Sequence, residues 1–165
     1  MTEYSPAPLS IRRILVPIDV FDVCREAVDF AIDLSGRYGG AELTLLHVFQ
    51  PPTYALPMDS MMFAGPQVMA EQVTQADVAL TELAAKVRGR GIATVTTHIA
   101  QGDPVDEILR EIRDRRHDLV VMGTHGRTGL AHALLGSVTE KIVRRAPCPV
   151  LTVHVPHAAK DEHAK

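Results

Sequence analysis

The chain is expected to fold as an α/β protein: a single doubly wound domain with a five-stranded parallel sheet in the order 3-2-1-4-5 and helices on both faces. Three observations predict this. Short apolar runs alternate with stretches of helical periodicity from end to end, the pattern of strands joined by crossover helices. The run Leu119, Val120, Val121, Met122 has no polar alternation, as befits a strand covered on both faces. The length of 165 residues suits one domain with a substantial core. Right-handed crossovers leave few ways to wind such a sheet, and the order given is the natural one for five strands.

Each element has its own local reason. Ile11 to Ile18 reads as the first strand, with Ile14, Leu15, Val16 and Ile18 apolar, and Asp19 ends it. From about Cys24 to Tyr38, Val23, Ala27, Phe30, Ala31 and Leu34 recur at helical spacing, and Gly39–Gly40 stops the helix. Ala41 to Phe49 is the second strand. Gln50 to Pro66 carries Pro51, Pro52, Pro57 and Pro66 with Met58, Met61 and Met62 between them, which argues against regular structure. Because it follows the second strand, this loop is either a cover for one side of a ligand, where adaptable methionines suit contact with varied partners, or an uncommitted surface loop. Val73, Ala76, Leu80, Leu83, Ala84 and Val87 mark a longer helix ending at Gly89 or Gly91.

Ile92 to Ala100 reads as the third strand. Asp103 as N-cap and Pro104 at the first helical position start the next helix, with Val105, Ile108, Leu109 and Ile112 on its apolar face. Arg110, Glu111, Arg113, Asp114, Arg115 and Arg116 are expected to form its solvated back. Asp118 to Met122 is the fourth strand, Ser137 to Arg145 the last helix, stopped by Pro147 and Pro149, and Val150 to Val155 the fifth strand. Residues 1–10 and 156–165 read as flexible termini around a domain spanning 11–155.

Composition narrows the function. Hydrophobic residues make up 46 % and charged residues 22 %, ordinary for a globular protein. A formal net charge of −3 leaves no basic excess to neutralise a phosphate backbone, so nucleic acid is not an expected partner. Cys24 and Cys148 have no CxxC neighbour, and Cys148 reads as a small buried apolar side chain. The first residues lack the basic and apolar regions of a signal peptide, and no apolar run reaches the ~20 residues of a membrane span. The expected compartment is therefore a reducing cytoplasm, with no membrane partner.

In a doubly wound sheet the ligand lies where the winding reverses, outside the carboxyl ends of the strands. Here that reversal falls between strands 1 and 4, beside Asp19 and the glycine-rich stretch beginning at Gly123. A strand that breaks into glycines ahead of a helix N-terminus presents backbone N–H groups to phosphate. Gly123 lets the chain leave the strand sharply, and Gly126 and Gly136 supply turns that favour positive φ. The N–H groups of Val138 and Thr139 and the hydroxyl of Ser137 then face the phosphates, and Arg127 is the strong cation of the loop. Ser137-Val138-Thr139-Glu140 also fits a capping box, in which Ser137 caps a helix and needs no ligand.

The spacing is Gly123-x-x-Gly126, nine residues, then Gly136-Ser137, and it resembles the nucleotide-binding motif of the universal stress protein family. GTHGRTGLAHALLGSVTEKIVRRAPCPVLTV is similar to that family's C-terminal half, and ILVPID with LTLLHVF to its first two strands. The resemblance covers about residues 11 to 155. It implies that Pro17, Ile18 and Asp19 hold the adenosine part of ATP, and that the Val48 backbone contacts adenine. Met122 and Gly123 match the ribose side; Gly126, Gly136, Ser137, Val138 and Thr139 match the phosphate cradle, with His125 and Arg127 in the same loop. It further implies ATP or AMP as ligand, Mg or Mn beside the phosphates, and a homodimer through Val150 to Val155. One departure stands out: Val20, Phe21 and Asp22 follow Asp19, where the family often has a glycine or aromatic residue and then serine. The extra carboxylate would weaken phosphate binding or help to hold a divalent ion.

Other chemistry is poorly supported. There is no P-loop and no Gly-x-Gly-x-x-Gly fingerprint. His47, His98, His117, His125, His132, His154, His157 and His163 are scattered without metal-ligand spacing. A binding module in stress response, with an unidentified protein partner, is the leading expectation. A slow ATPase or phosphoryl-transfer enzyme would have to rely on Arg127, Asp19 and Asp22 without a P-loop lysine. A dimeric scaffold with an empty site is the third reading.

Overall fold

The computed structural model describes residues 10–50, 65–124 and 135–154. Their elements alternate along the chain as β1 (Arg13–Pro17), α1 (Arg25–Arg37), β2 (Glu42–Phe49), α2 (Gly65–Gly89), β3 (Val95–Gln101), α3 (Pro104–Arg115), β4 (Leu119–Gly123), α4 (Ser137–Arg145) and β5 (Val150–Val153). The strands form one parallel sheet in the order β3-β2-β1-β4-β5. Both the fold class and the winding agree with the sequence expectation.

Side-chain alternation distributes the sheet between two cores. Ile14, Val16, Leu43, Leu45, Val95, Leu119 and Val121 face α1 and α2, meeting Ala27, Ala31, Leu80 and Ala84. Leu15, Leu46, Ala100, Val120 and Met122 face the other way, against Val105, Ile108, Leu109 and Ile112 of α3 and Ile142 of α4. The central strands are covered on both sides, which explains why β4 carries four consecutive apolar residues.

Helix boundaries follow the local chemistry, with several corrections. Asp103 caps α3: its carboxylate accepts N–H groups from Val105 at 2.9 Å and Asp106 at 3.2 Å. Arg116 closes the helix in the left-handed region at φ 52°. The expected apolar faces of α1 and α2 were too broad. Phe30 is 52 % exposed and Val73 38 % exposed, because the buried stripe of α1 runs through Ala27, Val28, Ala31, Ile32 and Ser35, and that of α2 through Ala76, Leu80, Ala84 and Val87. Ile11 and Ile18 are buried but lie outside the bounds of β1, and β3 begins at Val95 rather than Ile92. Of the stretch expected to be irregular, 51–64 lies outside the described residues, while Gly65 and Pro66 open α2; proline is tolerated in a first turn, where its missing N–H has no helical acceptor.

The back of α3 is not uniformly solvated. Glu111 is buried, with its Oε2 2.9 Å from His98 Nδ1 and its Oε1 3.0 Å from Arg115 Nε and 3.6 Å from His117 Nε2. Cys148 is half-buried rather than buried; it packs beside the second core, and burial together with Asp118 raises its thiol pKa. Among the described residues no helix is long and apolar enough to cross a membrane.

Candidate functional site at the winding reversal

β1 and β4 are neighbours in the sheet, Ile14 opposite Leu119, yet their crossover connections leave in opposite directions. The crevice this creates opens at their carboxyl ends. On the β1 side the ladder runs on past half-buried Pro17, since the Ile18 N–H donates to Leu46 O at 2.8 Å. Asp19 then makes a tight turn: its Oδ1 accepts the Phe21 N–H at 3.1 Å and its carbonyl accepts the Asp22 N–H at 3.0 Å. An aspartate favours such a turn because its short side chain reaches the backbone two residues on. The carboxylate is thereby held at the crevice, half-exposed.

A second hydrogen bond stiffens this corner. The buried His47 ring has Nδ1 3.0 Å from the Ile18 carbonyl, so Nδ1 donates. Phe21 meets the same ring edge-on, with centroids 6.0 Å apart and planes at 82°. Val48 follows on β2, half-buried and paired with Ala100.

On the β4 side, Met122 is buried and Gly123 half-buried, with Gly123 opposite Val153 of β5. Thr124 donates its N–H to Val153 O at 3.0 Å and accepts the Gly136 N–H at 2.6 Å. Gly136 is the N-cap of α4, and no side chain caps that helix. The capping box is therefore not formed: Ser137 is the first helical residue, and Glu140 turns to Arg144 at 3.0 Å. Nor does Gly136 need positive φ, since it sits at φ −63° and ψ 152°. The restriction on it is steric, because a Cβ there would stand 3.0 Å from the Thr124 carbonyl oxygen, which would have to give by a few tenths of an ångström.

The first turn of α4 is braced a second time, where the Thr139 hydroxyl donates to Gly123 O at 3.0 Å. Between these braces the N–H groups of Ser137, Val138 and Thr139 precede the first helical hydrogen bond, from Glu140 N–H to Gly136 O at 2.9 Å. N–H groups in this position, together with the positive end of the helix dipole, suit an anion.

Of the residues singled out in the sequence, Pro17, Ile18 and Asp19 thus border one wall of the reversal, and Met122, Gly123, Gly136, Ser137, Val138 and Thr139 the other. Val48 lies at the end of the adjacent strand. His125, Gly126 and Arg127 lie outside the described residues, as does Val155 of the expected fifth strand. Among the described residues no group of His, Cys, Asp and Glu is arranged to hold a metal ion. Sequence reasoning missed Thr124 and His154, whose Oγ1 and Nδ1 lie 3.2 Å apart. Thirty positions separate them, and only the pairing of β4 with β5 makes them neighbours.

A concavity of about 430 Å³ lies between α2 and edge strand β3, lined by Val73, Thr74, Asp77, Thr97, His98 and Ile99. It has no helix N-terminus like the one at the reversal.

The profile of the Universal stress protein family matches residues 10–154. Universal stress protein MJ0531 of Methanocaldococcus jannaschii is 31 % identical over 145 residues, covering 88 % of this chain and 83 % of that protein. The solved structure of universal stress protein UspA from Lactobacillus plantarum superposes with a TM-score of 0.77 at 26 % identity, over 90 % of this chain and 99 % of that one. The universal stress protein from Archaeoglobus fulgidus, solved in complex with dAMP, shares the fold with a TM-score of 0.61 at 19 % identity, over 87 % and 98 % of the two chains. Sheet order, braced helix and a family match across the whole domain agree: this chain belongs to the universal stress protein family.

Proposed function

We propose that the chain binds an adenine nucleotide, ATP in preference to AMP, at the winding reversal, and that it works as a regulatory binding module in the stress response. The observation that carries this reading is the first turn of α4. Gly136 packs against Thr124, Thr139 is tied to Gly123, and the N–H groups between them face a place where no side chain caps the helix. A helix N-terminus at the reversal of a doubly wound sheet is where phosphate is favoured by both dipole and geometry.

In this reading Pro17, Ile18 and Asp19 receive the adenosine, the Val48 backbone meets adenine, and Met122 and Gly123 border the ribose. The phosphates lie on Gly136, Ser137, Val138 and Thr139, with His125, Gly126 and Arg127, which lie outside the described residues, as further candidate contacts and Mg²⁺ or Mn²⁺ accompanying the charge. The dAMP complex of the Archaeoglobus relative supports an adenine ligand in this fold. The same reading places the protein in the cytoplasm as a homodimer paired through Val150 to Val155, with a protein partner still to be identified. β5 is an outer strand whose Val150, Leu151 and Thr152 are only half-buried, and such an edge is stabilised by pairing.

The test is calorimetric titration of ligand-stripped protein with ATP and Mg²⁺, then with AMP. Micromolar binding that favours ATP is expected. At a free concentration of 100 times Kd it stabilises the fold by about 2.7 kcal/mol, visible as a raised melting temperature. No heat and no change in melting temperature with either nucleotide overturns the reading and leaves a dimeric scaffold.

A further inference from the structure

We propose that His154 is a positioning residue for the phosphate end of the site, acting through Thr124. The inference rests on the nucleotide reading above and adds a residue that the glycine motif does not contain.

Thr124 is only 4 % exposed, and it joins three parts of the molecule. Its N–H goes to Val153 on β5, its carbonyl takes the Gly136 N–H, and its hydroxyl lies 3.2 Å from His154 Nδ1. The Gly136 contact is close enough that a Cβ would stand 3.0 Å from the carbonyl oxygen. A shift of Thr124 is therefore passed to the cap of α4, since packed groups at such distances have no slack to absorb it.

The other brace of the first turn, Thr139 on Gly123, is fixed directly to a strand. The Gly136 brace instead depends on how Thr124 is held. Removing His154 takes away one partner of a buried hydroxyl, which then turns to regain a hydrogen bond. The cost falls on ligands that use the α4 N–H groups, and not on adenosine, which meets the ends of β1 and β2 and, through its ribose, Met122 and Gly123, both held by the β4–β5 ladder independently of His154.

The experiment titrates wild-type protein, His154→Ala and His154→Asn with ATP and with adenosine, and records each melting temperature without ligand. Asparagine is chosen because its amide puts a hydrogen-bonding atom near the position of Nδ1. His154→Ala is expected to lose ATP affinity by about fivefold, the effect of one neutral hydrogen bond. Adenosine affinity stays unchanged, and His154→Asn restores ATP binding to within about twofold of wild type. Unchanged ATP affinity in His154→Ala overturns the proposal. So does an equal loss for ATP and adenosine, or a failure of His154→Asn to restore binding. If the wild-type protein binds neither ligand, the nucleotide reading itself fails and this one with it. If it binds both and the variants do not separate them, only the role of His154 falls.

Discussion

At the scale of single residues, Gly136 is the most constrained position in the described part of the site. Its backbone angles are open to any amino acid, so the restriction is one of space: the Thr124 carbonyl stands where a Cβ would press on it. That oxygen belongs to a backbone tied to Val153, which yields less readily than a flexible side chain would. Gly136→Val is therefore expected to cost about 1–3 kcal/mol in stability through overpacking and to lose measurable ATP binding, as judged by chemical denaturation and calorimetry. Gly136→Ala should fall between the two. ATP affinity equal to wild type in the valine variant would refute the placement of the phosphates. The sequence picked out this glycine by its spacing, but gave it the wrong physical reason. Close approach to a carbonyl twelve positions away in the chain leaves no local signature, whereas a turn with positive φ does.

At the scale of elements, legibility depends on whether the deciding interaction is local. The Asp103-Pro104 start of α3 was readable because the accepting carboxylate and the N–H donors that it caps lie within three residues of each other. Asp103→Ala should cost about 1 kcal/mol and lower the melting temperature by about 2–4 °C. Nucleotide affinity should not change, because that helix contributes nothing to the phosphate side. Ser137 is the counter-example: serine followed by Glu140 has the form of a capping box, but Gly136 is anchored to Thr124 and Glu140 pairs with Arg144. A tertiary contact thus moved the cap by one residue. Phe30 and Glu111 fail in a similar way. Each lies at an edge of its helix's apolar stripe, and only the neighbour across the interface decides which side of that boundary it takes.

At the scale of the whole molecule, the two cores fix the sheet, and one polar cluster beneath edge strand β3 makes stability depend on pH. The His117 side chain is 1 % exposed, neither ring nitrogen has a hydrogen-bond partner among the described residues, and Glu111 Oε1 lies 3.6 Å away. Burial lowers its pKa below the ordinary histidine value of 6.5, an effect that the Glu111 charge only partly offsets. The unfolded chain then takes up the proton at higher pH than the folded one. Stability contributed by neutral His117 is complete above pH 6.5 and is lost as pH falls through the folded pKa. Urea unfolding should weaken in that window with a slope of up to about 1.4 kcal/mol per pH unit from this group. His117→Leu should flatten the slope, and an unchanged slope in that variant would assign the pH dependence to other groups. By itself, the sequence determined the class of fold, the winding order, nearly every strand and helix, and the glycine-serine signature of the site. The elements follow from periodicity, caps and breakers, whose causes lie within a few residues of each other, whereas the signature was legible only through its resemblance to the universal stress protein motif. Only the tertiary structure decided that Gly136 caps α4, that Thr124 and His154 back it, and that Glu111 and His117 are buried together. Each depends on which distant strand or helix the residue meets, and that contact is made by packing rather than by neighbours along the chain.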